Sequence, residues 1–134
     1  GRRNLALNGL VTSSMRFLRR DAMDFLAQAA RRPDERFDLV ILDPPTFAAA
    51  NPRRGIAAWR AVDDYPALVR AAVQVLAPGG VVFAASNTRE LATAGALAAL
   101  VDAALPRPPR WKSLPPWPVD VRAEDRVAAV LFAP

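Results

Sequence analysis

The stretch "FDLVILDPPTF", from Phe37 to Phe47, joins four consecutive aliphatic residues to an acid, two prolines, a threonine and an aromatic ring. An unbroken aliphatic run of this kind predicts a strand buried on both faces, as in a parallel sheet. In open parallel sheets, ligands bind beyond the carboxyl ends of the strands. We therefore expect Asp43, which follows the strand directly, to lie in a functional site. The alternative is an ordinary turn that ends the strand.

Strand and helix patterns alternate on both sides of this stretch. Upstream, Met15–Arg19 alternates apolar and charged residues like a short strand, and Asp21 stands where a helix N-cap would, ahead of the helical pattern at Ala22–Ala30. The other predicted elements are a helix end at Arg2–Leu7 stopped by Asn8-Gly9, a helix from about Ala61 to Leu76 stopped by Pro78-Gly79-Gly80, a strand at Val81–Ala85, a helix at Thr88–Leu105, and an antiparallel pair at Arg110–Leu114 and Val127–Phe132. This order predicts a Rossmann-like α/β fold, with a mostly parallel sheet, helices on both faces and a C-terminal antiparallel hairpin.

The composition limits the chemistry that this chain can perform. Its 134 residues fit one domain, and its apolar runs are shorter than the ~20 residues that a membrane span needs. With no charged and apolar leader in the sequence, we expect a soluble cytoplasmic protein that does not bind membranes. The chain has no cysteine and no histidine, which excludes disulfides, a cysteine nucleophile and the usual zinc ligands, so we expect no metal. Acid–base chemistry is left to carboxylates, Tyr65 or Lys112.

The charge of the chain is strongly basic, at a formal +5, and every positive side chain except Lys112 is an arginine. A basic balance favours a polyanionic partner such as RNA, because each neutralised phosphate releases counterions. Alanine and proline are also abundant, so a coding bias could supply the arginines instead. Arg53, Arg54 and Arg60 follow the strand and form either an RNA-contacting lid or a solvated loop.

Four blocks of sequence, in order, resemble class I S-adenosylmethionine-dependent methyltransferases. The resemblance is strongest to the bacterial group that makes N7-methylguanine or C5-methylcytosine in large-subunit ribosomal RNA. The blocks are "RNLALNGL" (Arg3–Leu10), "RRDAMDFL" (Arg19–Leu26), "FDLVILDPPTF" and "VLAPGGVVFAASNT" (Val75–Thr88), and "PPWPVD" (Pro115–Asp120) is similar to a proline-rich hairpin near the C-terminus of that group. A single DPP turn would be a weak signal, whereas four ordered blocks at compatible spacing are specific.

This resemblance implies S-adenosyl-L-methionine as the cofactor and ribosomal RNA as the partner. On the cofactor side it implies that Asp21 hydrogen-bonds the adenine amine, that Ala22 makes a backbone contact and that Asp43 borders the methyl group of the cofactor. The plain alternative for Asp21 is an N-cap, a much commoner role for an aspartate in this position.

On the substrate side, the resemblance implies a site around the turn that follows the strand. The residues that it places beside the transferred methyl and the target base are Asp43, Pro44, Pro45 and Phe47, the last stacked on the base. Further substrate-binding candidates are Thr46, Arg53, Arg54, Ser86 and Asn87. Ser86-Asn87 could equally be a polar turn, and Trp59 is more typical of packing than of a base platform.

Methyl transfer from a sulfonium makes modest chemical demands, because the methyl group is already activated. The enzyme has to align an electron pair with the methyl group and exclude water. Prolines stiffen the turn, and since they lack an N–H they leave carbonyls free to accept hydrogen bonds from a base edge. C5 methylation of cytosine in this group needs a thiolate, which this chain lacks. The sequence therefore favours a ring nitrogen, guanine N7 first, with an exocyclic amine still possible.

The sequence departs from the resembling group in one respect. The glycine-rich cofactor loop and the acid after the second strand would lie upstream of Gly1, and in the group's sheet the first two strands separate the strand at Arg16 from the strand at Val40. We therefore expect residues 1–134 to be the C-terminal portion of a single catalytic domain. We expect it to need its upstream half and to be inactive, with little cofactor affinity, alone. Otherwise the Arg16 strand would pair with the Val40 strand or with another chain.

Three other functions compete with this hypothesis. A methyltransferase for a small molecule or a protein would share every cofactor-side feature. A non-catalytic RNA-binding module of the same fold would need no glycine-rich loop. A nucleotide-binding oxidoreductase is disfavoured, because no GxGxxG motif occurs.

Overall fold

The computed structural model describes residues 2–10, 15–117 and 127–134. The helices are α1 (Arg2–Leu7), α2 (Ala22–Ala30), α3 (Ala61–Val73) and α4 (Ala96–Ala104), with a short 3-10 helix at Pro52–Arg54. The strands are β1 (Phe37–Leu42), β2 (Phe47–Ala48), β3 (Trp59–Arg60), β4 (Leu76–Ser86), β5 (Arg110–Lys112) and β6 (Ala128–Ala133). Across these described ranges, no helix is long and apolar enough to cross a lipid bilayer.

The main sheet has four strands in the order β1-β4-β6-β5, and β2 and β3 form a separate small hairpin. Strands β1 and β4 are parallel, with Val40 opposite Val82, and α3 connects them as a crossover. Strands β4 and β6, and β6 and β5, are antiparallel. The predicted α/β fold and its C-terminal antiparallel hairpin are confirmed. The described strands do not form the predicted mostly parallel sheet, because only β1 and β4 pair in parallel and the other two pairs are antiparallel.

One face of this sheet carries the hydrophobic core. Alternate residues of neighbouring strands point to the same face, so Val40, Val82 and Phe132 lie side by side. Helices α2, α3 and α4 pack their apolar residues into the same cluster, which includes Leu26, Val69, Leu97 and Val101. This packing holds α3 against the covered face of the sheet, next to the turn that follows β1.

The opposite face of β1 is open. Leu39 is 50% exposed and Ile41 is 63% exposed, and within the described residues β1 pairs along one edge only. The prediction that this strand is buried on both faces is therefore wrong for the described chain, since no described element covers Leu39 or Ile41. The aliphatic run correctly predicted a strand. Its second face can be buried only by residues other than those described.

Three further predictions are corrected. Residues 15–20 form no strand, because a strand needs a hydrogen-bonded neighbour and no other described residue pairs with them. Arg16 is instead linked to Glu35 by an ion pair of 3.2 Å. The predicted helix Thr88–Leu105 is helical only over α4, and Gly95, at φ 77°, ends the preceding turns. Pro78-Gly79-Gly80 lies inside β4, while α3 ends earlier, at Val73.

Gly80 is the position where β4 comes closest to the start of β1. A Cβ atom on Gly80 would lie 2.8 Å from the carbonyl oxygen of Phe37 and 3.0 Å from that of Ala77. Only a residue without a side chain fits there, so the glycine permits the close approach of the two strands.

Candidate active site

The carboxyl ends of β1 and β4 lie side by side, since Leu42 pairs with Ala84 near the end of each strand. The turn after β1 contains Asp43, Pro44, Pro45 and Thr46, and the turn after β4 contains Asn87 and Thr88. The predicted substrate-side residues of these two distant segments are thus neighbours. This adjacency follows from the parallel pairing, because parallel strands end at the same edge.

Side-chain hydrogen bonds connect the two turns. Thr46 Oγ1 donates to Asn87 Oδ1 at 3.1 Å, and Thr88 Oγ1 donates to Thr46 Oγ1 at 3.3 Å. With its carbonyl oxygen engaged, Asn87 has its amide N–H groups available as donors. Ser86 is fully buried and its Oγ accepts from the backbone N–H of Thr88 at 3.2 Å, which is the polar-turn role given as its alternative.

The turn after β1 is also hydrogen-bonded to β3 and to the start of α3. The indole Nε1 of Trp59 donates to the carbonyl of Pro45 at 2.8 Å, and the backbone N–H of Ala61 donates to the carbonyl of Thr46 at 3.0 Å. The pairing of Phe47 with Arg60 in the β2–β3 hairpin continues this attachment. The Pro45 carbonyl, expected to be free for a base edge, therefore already has one donor.

This role of Trp59 was not predicted from the sequence. A partly buried indole N–H usually finds a hydrogen-bond acceptor. The carbonyls of the Pro44-Pro45 turn are such acceptors, and a tryptophan close to them in the sequence could have indicated the contact. The exposed members of the site are Asp43, Pro45, Thr46 and Phe47, whose ring is 62% exposed. An exposed aromatic ring beside the turn is available for stacking.

A cavity of about 500 Å³ connects the start of α2 with the turn after β1. Its walls include Asp21, Ala22, Pro44, Pro45, Ile56 and Trp59. The structure therefore brings Asp21, Ala22 and the Pro44-Pro45 part of the predicted catalytic turn to one cavity. Asp43, which was predicted to contact both cofactor and base, and Phe47 are not among the residues that line it. The volume lies within the range of about 300–1,000 Å³ that is usual for sites of small molecules.

Asp21 caps helix α2 with one of its oxygens. Its Oδ1 accepts from the backbone N–H groups of Met23, at 2.8 Å, and Asp24, at 3.1 Å. No hydrogen bond to Oδ2 occurs within the part of the chain that the structure describes. The N-cap therefore leaves Oδ2 available as an acceptor, so the capping role does not exclude the predicted adenine contact.

Several arginines lie in the chain segments next to those that line the cavity. Arg19 and Arg20 line an adjoining cavity of about 510 Å³ together with Asp21, and the guanidinium of Arg20 donates to Gln28 at 2.9 Å. Arg53 is exposed on the 3-10 helix, while the side chain of Arg54 is outside the described atoms. Arg60 forms an exposed ion pair of 3.5 Å with Asp63. Arg19 and Arg20 were not among the predicted site residues, although they directly precede Asp21.

Comparison with solved structures identifies the fold. Over 98% of its length the chain matches a solved methyltransferase in complex with S-adenosylhomocysteine, at a TM-score of 0.74 and 19% identity, and it covers 35% of that structure. An S-adenosylmethionine-dependent methyltransferase from Streptococcus mutans matches 96% of the chain at a TM-score of 0.73 and 18% identity, with 33% of that structure covered. The chain has the fold of the S-adenosylmethionine-dependent methyltransferases.

Sequence comparison gives more specific relatives. The chain is 41% identical over 80 residues to ribosomal RNA large subunit methyltransferase I of Aeromonas hydrophila, a match of 60% of the chain and 19% of the relative. It is 36% identical over 89 residues to ribosomal RNA large subunit methyltransferase K/L of Pseudomonas aeruginosa, a match of 66% of the chain and 11% of the relative. No protein-family model matches the chain. The predicted resemblance is confirmed, and the chain spans less than a fifth of the length of these relatives.

Proposed function

We propose that this chain is the substrate-side portion of an S-adenosylmethionine-dependent methyltransferase that modifies a nucleobase of large-subunit ribosomal RNA. The observation that carries this proposal is the cavity shared by Asp21, Ala22 and the Pro44-Pro45 turn. The names of the two sequence relatives support the choice of RNA as substrate. The exposed arginines near the cavity give that polyanion favourable electrostatics.

The cavity fits the adenine end of the cofactor. Asp21 Oδ2 is an acceptor suited to the adenine amine, and Ala22, Ile56 and Pro44 supply apolar walls for a flat ring. When bound, S-adenosylmethionine supplies a methyl group that is already activated by its sulfonium. The residues of this chain have to orient the target base and exclude water from it.

The target base is handled by the turn after β1. The Asp43 carboxylate can accept a hydrogen bond from an exocyclic amine, and the exposed ring of Phe47 can stack on the base. Asn87 offers N–H donors from the neighbouring turn, because its Oδ1 is engaged by Thr46. Asp43 would then bind a hydrogen-bond donor on the base edge, and Asn87 would bind an acceptor on the same edge.

Within this activity, we propose a ring nitrogen as the methyl acceptor, with guanine N7 favoured. The chain contains neither cysteine nor histidine. Guanine N7 carries an exposed lone pair, and no proton has to leave before the methyl group arrives. C5 methylation would require a thiolate that these residues do not supply.

We also propose that residues 1–134 are the C-terminal portion of one catalytic domain. Its remaining strands would pair with the free edge of β1, and its other elements would cover Leu39 and Ile41 on the open face. Support comes from the exposure of these two side chains and from the unpaired edge, since folded proteins usually cover both apolar sheet faces and strand edges. The glycine-rich cofactor loop and the ribose-binding acid would belong to that other part.

The experiment that tests the activity uses the full-length protein, tritium-labelled S-adenosylmethionine and large-subunit ribosomal RNA, followed by mass spectrometry of the nucleosides. We expect label in the RNA as N7-methylguanosine, and its loss in Asp43→Asn. Label in C5-methylcytidine would refute the ring nitrogen, and label in protein or small molecules would refute the RNA substrate. RNA binding without label would favour the non-catalytic binding module, for which Arg19, Arg53 and the exposed Phe47 would suffice.

A further inference from the structure

Tyr65 is the only tyrosine of the chain, and it is fully buried in α3. Its hydroxyl donates to the carbonyl of Ala85 at 2.8 Å and approaches the carbonyl of Leu42 at 3.3 Å. Leu42 is the last residue of β1, directly before Asp43, and Ala85 is the next-to-last residue of β4. One hydroxyl thus contacts the ends of both strands that carry the candidate site.

The position of this contact is informative because the β1–β4 ladder ends there. The last Cα pair of the two strands is Leu42 with Ala84, and beyond it β4 pairs only with β6. The Tyr65 hydroxyl bridges the two strands, β1 and β4, at the point where their backbone pairing stops. On the outer side, the Thr46–Asn87 hydrogen bond makes the corresponding connection between the two turns.

The chemistry of the hydroxyl fits a structural donor rather than an acid or a base. Burial, and secondarily the charge of Asp43, raise the pKa of Tyr65 well above its usual value. The side chain also lies outside the residues that line the cavity between α2 and the turn. Tyr65, one of the groups left for acid–base chemistry by the composition, therefore stays protonated and does not line this cavity.

We propose that Tyr65 is a positioning residue, which sets the turn carrying Asp43 and the turn carrying Asn87 at a fixed separation. This rests on the proposed function. If both turns contact one base, a small displacement between them misaligns the base with the methyl group. Such misalignment slows methyl transfer without removing any group that binds the cofactor.

The test is Tyr65→Phe in the full-length protein, which removes the hydroxyl and keeps the ring. We expect kcat for methyl transfer to fall about tenfold or more, while the Kd for S-adenosylhomocysteine stays within about twofold. By hydrogen exchange, the segments 42–48 and 85–89 should exchange faster than in the natural protein.

The matched control is Val69→Ala. Val69 is fully buried one turn further along α3 and makes no hydrogen bond to either turn, so its truncation destabilises the same helix without removing the bridge. At temperatures well below both values of Tm, Val69→Ala should retain its kcat and the exchange rates of both segments. Equal kcat and equal exchange in the two variants would show that Tyr65 only fills the core.

A second variant applies if Tyr65→Phe does not fold. With 4-fluorophenylalanine at position 65, the ring and a para substituent are kept but the donor is lost, and both kcat and protection of the turns should fall. Natural values for both would overturn the positioning role. The exchange experiment also separates this inference from the proposed function, because it decides the role of Tyr65 even if the natural protein transfers no methyl group to RNA.

Discussion

The indole of Trp59 and the carbonyl of Pro45 are joined by a hydrogen bond of 2.8 Å, although Trp59 lies in β3 and Pro45 in the turn between β1 and β2. This bond attaches the loop that contains the 3-10 helix to the turn that follows β1. The loop supplies Ile56 to the wall of the cavity. The position of the cavity wall therefore depends on Trp59 as well as on the turn itself.

Replacing Trp59 with Phe should loosen this loop. We expect a loss of about 1 kcal/mol in the free energy of unfolding, the usual net contribution of one hydrogen bond. Trypsin should cleave the loop faster, since it contains Arg53. The comparison is Trp111→Phe, at the far edge of the sheet, where the ring is also made smaller. Faster cleavage of the loop in Trp111→Phe as well would contradict the specific role of Trp59.

Asp21→Asn should separate the two roles of this carboxylate. Asparagine caps helices about as well as aspartate, so stability should change by less than about 0.5 kcal/mol. Its side chain has lost the charge that favours contact with the adenine amine. We expect the Kd for S-adenosylhomocysteine, measured by calorimetry on the full-length protein, to rise about tenfold.

The control for this measurement is Asp24→Asn, which removes a carboxylate from the same helix turn but not from the cap. If Asp21→Asn and Asp24→Asn bind with the natural Kd, Asp21 is an N-cap and nothing more.

Ile41→Lys should reveal whether the open face of β1 is covered in the full-length protein. Ile41 and Phe47 are almost equally exposed among the described residues, at 63% and 62%. Only Ile41 lies on the face that we propose to be covered. In the full-length protein, urea denaturation should show a loss of about 3 kcal/mol or more for Ile41→Lys, because an unpaired charge would be buried.

For Phe47→Lys we expect a change of less than about 0.5 kcal/mol, as for other surface positions. Equal and small effects of the two substitutions would mean that no further part of the protein packs on β1.

The ion pairs of Glu35 predict a specific pH dependence. Its carboxylate lies 3.2 Å from Arg16 and 3.3 Å from Arg32, and the hydrogen bond from Arg16 is the main cause that lowers the pKa of Glu35 below its ordinary 4.5. A pKa lowered by folding stabilises the folded state above the unfolded pKa, and this contribution is lost as the pH falls through the folded value.

Glu35→Gln should therefore lower Tm near neutral pH, and the difference from the natural protein should vanish as the pH falls below 4.5. Thermal denaturation at several pH values measures it. High salt should shrink the difference near neutral pH, since these groups are accessible to solvent. A difference that persists in acid would show that Glu35 acts through packing and not through its charge.

The sequence alone was sufficient for the elements whose signals are local. Helix α2 with its Asp21 cap, strand β1 and the turn after it follow from periodicity, a capping residue and an aliphatic run before two prolines. These patterns act over a few residues, and each was found close to where it was predicted. The resemblance of four short blocks to known methyltransferases depends on the same local features, which is why it was visible in the sequence.

Sequence patterns failed where a structure depends on a distant neighbour. Met15–Arg19 alternates like a strand but has no described partner strand, and β1 has an aliphatic run but no described cover over Leu39 and Ile41. The pattern of a segment reports what it could bury or pair with. Whether a partner strand or a covering element is present depends on the whole fold.

The geometry of the candidate site was decided by the tertiary structure. The Trp59–Pro45, Tyr65–Ala85 and Thr46–Asn87 hydrogen bonds join residues that are 14, 20 and 41 positions apart. The Trp59–Pro45 bond accompanies the pairing of β2 with β3. The Thr46–Asn87 bond exists because β1 and β4 end at the same edge, and the Tyr65–Ala85 bond because α3 packs against the ends of those strands. The sequence determined which chemical groups stand at the strand ends, and only the packing of helix on sheet determined which of those groups touch.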